Sequence, residues 1–84
     1  MKQSRGISRR RKRTLVDWKA VGRRIRGLRG FYSTQDEFAA RVGVSQSFLS
    51  AMERGEKEPG AEVLLRISRE FGKSIEWLLT GDGT

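Results

Sequence analysis

The sequence predicts an all-α fold, a compact five-helix bundle behind a disordered basic arm. Three observations carry that prediction. Apolar residues recur at helical spacing in five successive stretches. No stretch alternates apolar and polar residues with the two-residue period of a strand. The breaks between stretches hold Gly, or Ser, Thr and Asp at positions where they can cap a helix. A chain of 84 residues has room for one domain with a modest core. The expected boundaries are a basic arm over residues 1–13, a folded domain over 14–81 and a flexible end over 82–84.

Met1 to Arg13 offers Ile7 as its one large apolar side chain besides the initiator. It cannot bury enough surface to offset the entropy of ordering, so it is expected to be disordered alone. The first helix is expected to start at Asp17, an N-cap residue. Trp18, Val21, Ile25 and Leu28 then form one apolar stripe, and Gly30 ends it. Arg23, Arg24 and Arg26 lie off the stripe, either as a solvated face or as phosphate contacts.

Thr34 and Glu37 stand at the spacing of a capping box, which starts the second helix. Phe38, Ala39 and Val42 share its apolar face. Gly43 sits where the helix end needs a left-handed backbone. Ser45 can cap a third helix, Ser45 to Glu53, which buries Leu49 and Met52 and turns Gln46, Ser47, Ser50 and Ala51 elsewhere. Two short helices joined by a Gly-containing turn form a helix-turn-helix, a unit whose second helix can enter the DNA major groove. Residues 54–60 are a loop by composition. A fourth helix is expected from Ala61 to Phe71, with Ala61, Leu64, Ile67 and Phe71 facing one way and Gly72 as its stop. Ser74 can cap a short fifth helix from Ile75 to Leu79, directing Ile75, Leu78 and Leu79 towards a core. Val63, Leu65 and Trp77 fall off the core face, and Phe48 has no firm assignment.

Composition narrows the chemistry. There is no Cys and no His, which removes disulfides, most zinc sites and the usual catalytic triads. No constellation of nucleophile, base and orienting group is visible, so no enzyme, no metal and no cofactor is expected. The formal net charge is +8. Of 18 Lys and Arg residues, seven lie in the first 13 positions with no acid among them. The remaining 11 face all 10 Asp and Glu residues, so the body carries +1. A cationic segment on a nearly neutral body suggests a polyanionic partner, nucleic acid first. The run Arg9, Arg10, Arg11, Lys12 and Arg13 is either a solvated tail or an arm on DNA phosphates. No apolar run approaches the roughly 20 residues that span a bilayer, and the tail lacks the apolar stretch of a secretory signal. A cytoplasmic, nucleoid-associated protein without a membrane partner is the expectation.

The ordered set of motifs resembles the Cro/phage-repressor-type (Xre-like) helix-turn-helix domains, the lambda-repressor-like DNA-binding type. The resemblance runs from about Val21 to Gly81. It rests on Gly22, Ile25-Arg26 and Leu28-Arg29, then Gln35, Phe38-Ala39 and Gly43-Val44-Ser45. Leu49-Ser50, Glu53-Arg54-Gly55, Pro59 and the ending Trp77-Leu78-Leu79-Thr80-Gly81 follow at the usual distances. The chain departs from the pattern at Phe48, where a small or polar residue is usual, and at Gly60, where Ser is a frequent cap. By chemistry alone Gln46, Ser47 and Ala51 are either a solvated polar face or base readers, and the resemblance implies that they read bases. Gln can bond adenine bidentately, Ser can meet several base edges, and Ala suits a thymine methyl. The resemblance further implies that Gln35 holds a phosphate and steadies Gln46. It also implies that Glu53 pairs with a first-helix arginine, Arg26 or Arg29. Ser45, Ser50, Arg54 and Lys57 complete the phosphate-contacting or supporting set.

The expected function is a sequence-specific regulator of transcription on double-stranded DNA, a repressor acting as a dimer on a palindromic operator. Leu65 and Trp77 are the candidate homodimer contacts. The alternative on the same fold is an interaction module, an antitoxin or adaptor whose apolar C-terminal surface holds a protein partner.

Overall fold

The structure, a computed structural model, describes residues 15–30 and 33–83. The basic arm, Arg9 to Arg13 included, lies outside the described residues. The helices are α1 (Trp18–Arg29), α2 (Gln35–Val42), α3 (Gln46–Glu53), α4 (Ala61–Phe71) and α5 (Ile75–Thr80). No strand occurs among the described residues. The five predicted helices are all present, with ends within a residue of expectation.

Four of the five starts are made by the side chains that the sequence nominates. The Asp17 carboxylate accepts from the backbone N–H groups of Lys19 and Ala20. Thr34 Oγ1 accepts from the Glu37 N–H at 3.1 Å, and Glu37 Oε1 accepts from the Thr34 N–H at 3.0 Å, so the capping box is complete. Ser45 and Ser74 each accept from the N–H three residues on. Each such cap contributes about 1 kcal/mol. α4 starts at Gly60 with no side-chain cap. It relies on Glu62 in its first turn, where a negative charge favours the positive end of the helix.

The core is one cluster made from every helix: Val21 and Ile25 of α1, Phe38, Ala39 and Val42 of α2, Leu49 and Met52 of α3, Leu64 and Ile67 of α4, and Leu78 of α5. Phe38 is fully buried and stacks on Phe71, with centroids 5.2 Å apart. Two expectations change. Ala61 shares the spacing of the α4 stripe but is exposed, and the contact of α4 with the core begins at Val63 and Leu64. Val63 and Trp77, assigned by spacing to the outer face, pack half-buried against the core. Their neighbours on adjacent helices supply the cover that helical spacing alone does not show. Leu65 stays outside, 40% exposed.

α3 is seated on α1 and α2. A Cβ at Gly22 would stand 2.5 Å from the carbonyl oxygens of Met52 and Glu53. Gly22 therefore lets the α1 backbone meet the last turn of α3 without an intervening side chain. Immediately beyond, Gly55 has φ +78, and a Cβ there would stand 2.8 Å from Lys19 Cα. Only glycine combines that left-handed conformation with that approach. At the other end of the bundle, the Arg24 guanidinium donates to the Leu78 carbonyl at 3.0 Å and ties α1 to α5.

The backbone contact at Gly22 cannot accommodate a methyl group. Gly22→Ala is expected to lower unfolding stability by about 2–3 kcal/mol through overpacking, measured as a fall in the urea midpoint at unchanged slope.

Candidate nucleic-acid interface

The C-terminal turn of α3 carries Glu53, and the seating of that turn on α1 brings its carboxylate against Arg29. Arg29 donates from Nε to Glu53 Oε2 at 2.8 Å and from Nη2 to Oε1 at 2.9 Å. Its Nη1 also donates to the Ser33 carbonyl at 3.4 Å. The Glu53 side chain is only 5% exposed and that of Arg29 only 16%. The sequence leaves the partner open between Arg26 and Arg29, and the structure selects Arg29. Arg26 acts on Glu53 through its charge alone.

The same carboxylate also faces α2. Gln35 Nε2 donates to Glu53 Oε1 at 2.9 Å. Gln35 Oε1 in turn accepts from Gln46 Nε2. A continuous polar line therefore runs Arg29, Glu53, Gln35, Gln46, from the end of α1 to the first residue of α3. Each bond orients the next amide. The carboxylate can only accept, so it takes the Gln35 NH₂, which leaves the Gln35 oxygen for Gln46. Among the described residues, Gln46 then keeps one amide hydrogen and its whole carbonyl oxygen free. It shows solvent a donor and an acceptor side by side.

Burial by itself would raise the Glu53 pKa. It is outweighed by the hydrogen bonds from Arg29 and Gln35 and by the charges of Arg29 and Arg26, so Glu53 titrates below the ordinary glutamate range. The bond to Glu53 correspondingly raises Arg29. Both groups are charged at neutral pH.

The other expected site residues surround this line. Ser47 is exposed beside Gln46, and Ala51 is half-buried one turn on. Ser45 uses an oxygen lone pair for the α3 cap, which leaves its O–H able to donate. Among the described residues, the N–H groups of Gln46 and Ser47 have no acceptor, as the first turn of a helix requires. Ser50 accepts from Arg54, and Arg54 pairs with Glu56 at 3.0 Å. This pair is fully exposed, and each partner favours the other's charged form. Lys57 is exposed with no partner among the described residues. Phe48, unassigned from sequence, lies half-buried against the core. Sequence reading does not reach the Gln35–Glu53 bond. Its partners are 18 residues apart, and no local spacing connects them.

Residues 32–78, more than half of the chain, match the helix-turn-helix family profile. The chain belongs to the Xre-like, phage-repressor type of that family. An uncharacterized HTH-type transcriptional regulator of Sinorhizobium fredii is 40% identical over 58 residues, 69% of each chain. One from Haemophilus influenzae is 42% identical over 45 residues, 54% of this chain, but this chain spans only 19% of its length. The P22 c2 repressor, solved in complex with a synthetic operator, superposes with a TM-score of 0.68 at 40% identity, covering 74% of this chain and 96% of that one. The chain is thus related to transcriptional regulators and to repressor DNA-binding domains. Among the described residues, no helix is long and apolar enough to cross a membrane.

Removing one partner of the enclosed pair strands the other, so Glu53→Ala is expected to cost about 2–4 kcal/mol of stability. Because the folded-state pKa of Glu53 is depressed, its contribution is complete above the ordinary glutamate range. It is lost as pH falls through the folded value. Urea titrations of the wild type between neutral pH and strong acid are expected to show this loss, and Glu53→Gln to flatten it.

Proposed function

We propose that this chain is a sequence-specific regulator of transcription that binds double-stranded DNA, a repressor that occupies a palindromic operator as a dimer. The observation that carries the reading is the free donor–acceptor edge of Gln46, held at the start of α3 by Gln35 and Glu53. Adenine offers the complement in the major groove, N7 as acceptor and N6–H as donor. With α3 in the groove, Ser47 meets the neighbouring base edge and Ala51 a thymine methyl. Family membership and the operator-bound state of the related P22 c2 repressor support the same placement.

Phosphates take the groups around the reading edge. The Ser45 hydroxyl and the free N–H groups at the start of α3 meet one strand. Arg54, steadied by Ser50, and Lys57 meet the backbone beyond the far end of the helix. The Arg54–Glu56 pair is exposed and weak, so exchanging it for a phosphate costs little. The arm residues Arg9, Arg10, Arg11, Lys12 and Arg13 add sequence-independent attraction. The dimer contact is assigned to the α4–α5 surface around Leu65 and Trp77. Such a dimer sets two copies of α3 about one turn of DNA apart. The DNA-reading role places the protein with the chromosome in the cytoplasm.

Selection from a random double-stranded DNA pool tests this reading. A recurring half-site in two-fold symmetric pairs is expected. Gln46→Ala should lose discrimination at one base position, about tenfold to a hundredfold. Lys57→Ala should weaken all sequences alike and reduce the salt slope by about one. Recovery of no preferred sequence, with equal binding to random DNA, would overturn the sequence-specific role. Co-purification of a stoichiometric protein partner, with binding indifferent to Gln46→Ala, would point instead to an interaction module.

A further inference from the structure

Glu56 puts a negative charge among cations. Arg54 and Lys57 flank it in the loop after α3, and the charge of Lys19 on α1 acts on it as well. Its place there is fixed by the backbone. Gly55 turns the chain with φ +78 close against Lys19. The Glu56 N–H then donates to the Ala51 carbonyl at 2.9 Å. Glu56 is thereby anchored to the residue assigned above to a thymine methyl.

From that position the side chain acts on Arg54. The Arg54 guanidinium donates from Nη1 to Ser50 Oγ and from Nη2 to Glu56 Oε1, the latter at 3.0 Å. The Ser50 hydroxyl orients the guanidinium and leaves its charge intact, whereas the Glu56 carboxylate neutralises it. Both partners are exposed, and exposed pairs of this kind add little to stability. What the carboxylate does change is the charge that Arg54 can offer to a ligand.

A phosphate that takes Arg54 must displace this carboxylate. The displaced group stays close by, because its backbone is held by Ala51. A glutamate side chain cannot swing beyond the screening length of about 8–10 Å at physiological salt. The negative charge therefore remains beside the phosphate after the exchange.

We propose that Glu56 limits the affinity of the DNA interface: it competes with the DNA backbone for Arg54 and repels the phosphate that displaces it. Phosphate contacts carry no base information. The penalty thus falls on operator and random DNA alike and leaves base preference to α3. This inference rests on the DNA-binding reading above.

The test uses the full chain, a duplex recovered by selection and a random-sequence duplex of equal length, with binding followed by fluorescence anisotropy across a salt series. Glu56→Gln is expected to tighten binding to both duplexes about twofold to fivefold, with their affinity ratio unchanged. The gain should shrink as salt rises. In an Arg54→Gln background it should largely vanish, because the object of the competition is gone. Glu76→Gln makes the same charge change on an exposed residue of α5 and should leave affinity near that of the wild type.

A Glu56→Gln protein that binds no more tightly than Glu76→Gln would overturn the inference. So would a gain of equal size with and without Arg54, since the two residues would then act independently. If the wild type does not distinguish the two duplexes, the base-reading role fails, while the role of Glu56 is still decided by the gain shared between them. If the wild type binds neither duplex, both fail.

Discussion

The last turn of α3 must lie on the backbone of α1, and the rest of the arrangement follows from that contact. α3 has eight residues, too short to hold helical shape alone in water. Its position is therefore set by what it touches. Gly22 brings the Met52 and Glu53 carbonyls down to α1. Gly55 turns the chain away beside Lys19. Leu49 and Met52 fill the core beneath. A side chain at either glycine would lift the C-terminal end of α3 and change the angle at which its first turn is presented.

The same contact explains why Glu53 serves two ends at once. Its carboxylate arrives beside Arg29 only because the α3 turn is seated, and once there it is nearly closed to solvent. Enclosed charge needs every acceptor site occupied. Arg29 supplies two donors and Gln35 a third. The requirement for the third donor fixes the Gln35 amide, and the Gln35 amide fixes Gln46. Fold stability and the presentation of an exposed surface amide thus share one carboxylate.

Much of this was legible in the sequence because the signals are local. Capping depends on residues three apart, and Thr34, Glu37, Ser45 and Ser74 all act as their spacing indicates. The stripe through Val21 and Ile25 is core for the same reason. Legibility ends where a contact joins distant segments. Arg26 and Arg29 lie one turn apart on the same helix, so spacing cannot choose between them as the partner of Glu53. Gln35 to Glu53 crosses from one helix to another. Phe48 stays unassigned and Trp77 reads as off the core face because helical phase counts only their own helix, whereas both pack half-buried against the core. Gly22 and Gly27 look alike in sequence, one a glycine between apolar residues and arginines, the other between an arginine and a leucine. Space separates them, since one meets a backbone at 2.5 Å and the other meets no described neighbour.

Net charge shows the same dependence on placement. The body outside the arm is nearly neutral by count, but its charges are not paired evenly. On the α2–α4 side, Arg41 pairs with Glu70, and Arg66 with Glu62. Arg41 also lies over the Phe71 ring. Those cations are spent on the protein itself. Along α1, Arg26 acts by charge on Glu53, a carboxylate that already has three donors, and Arg23 has no ion-pair partner among the described residues. After α3, Lys57 has no partner among the described residues, and Arg54 has only an exposed one. Among the described residues, the cations without a partner are thus spread unevenly, with Arg23 and Arg26 on α1, Lys57 after α3 and Arg69 on α4. A polyanion responds to such local placement rather than to the total charge, because the screening length is about 8–10 Å at physiological salt.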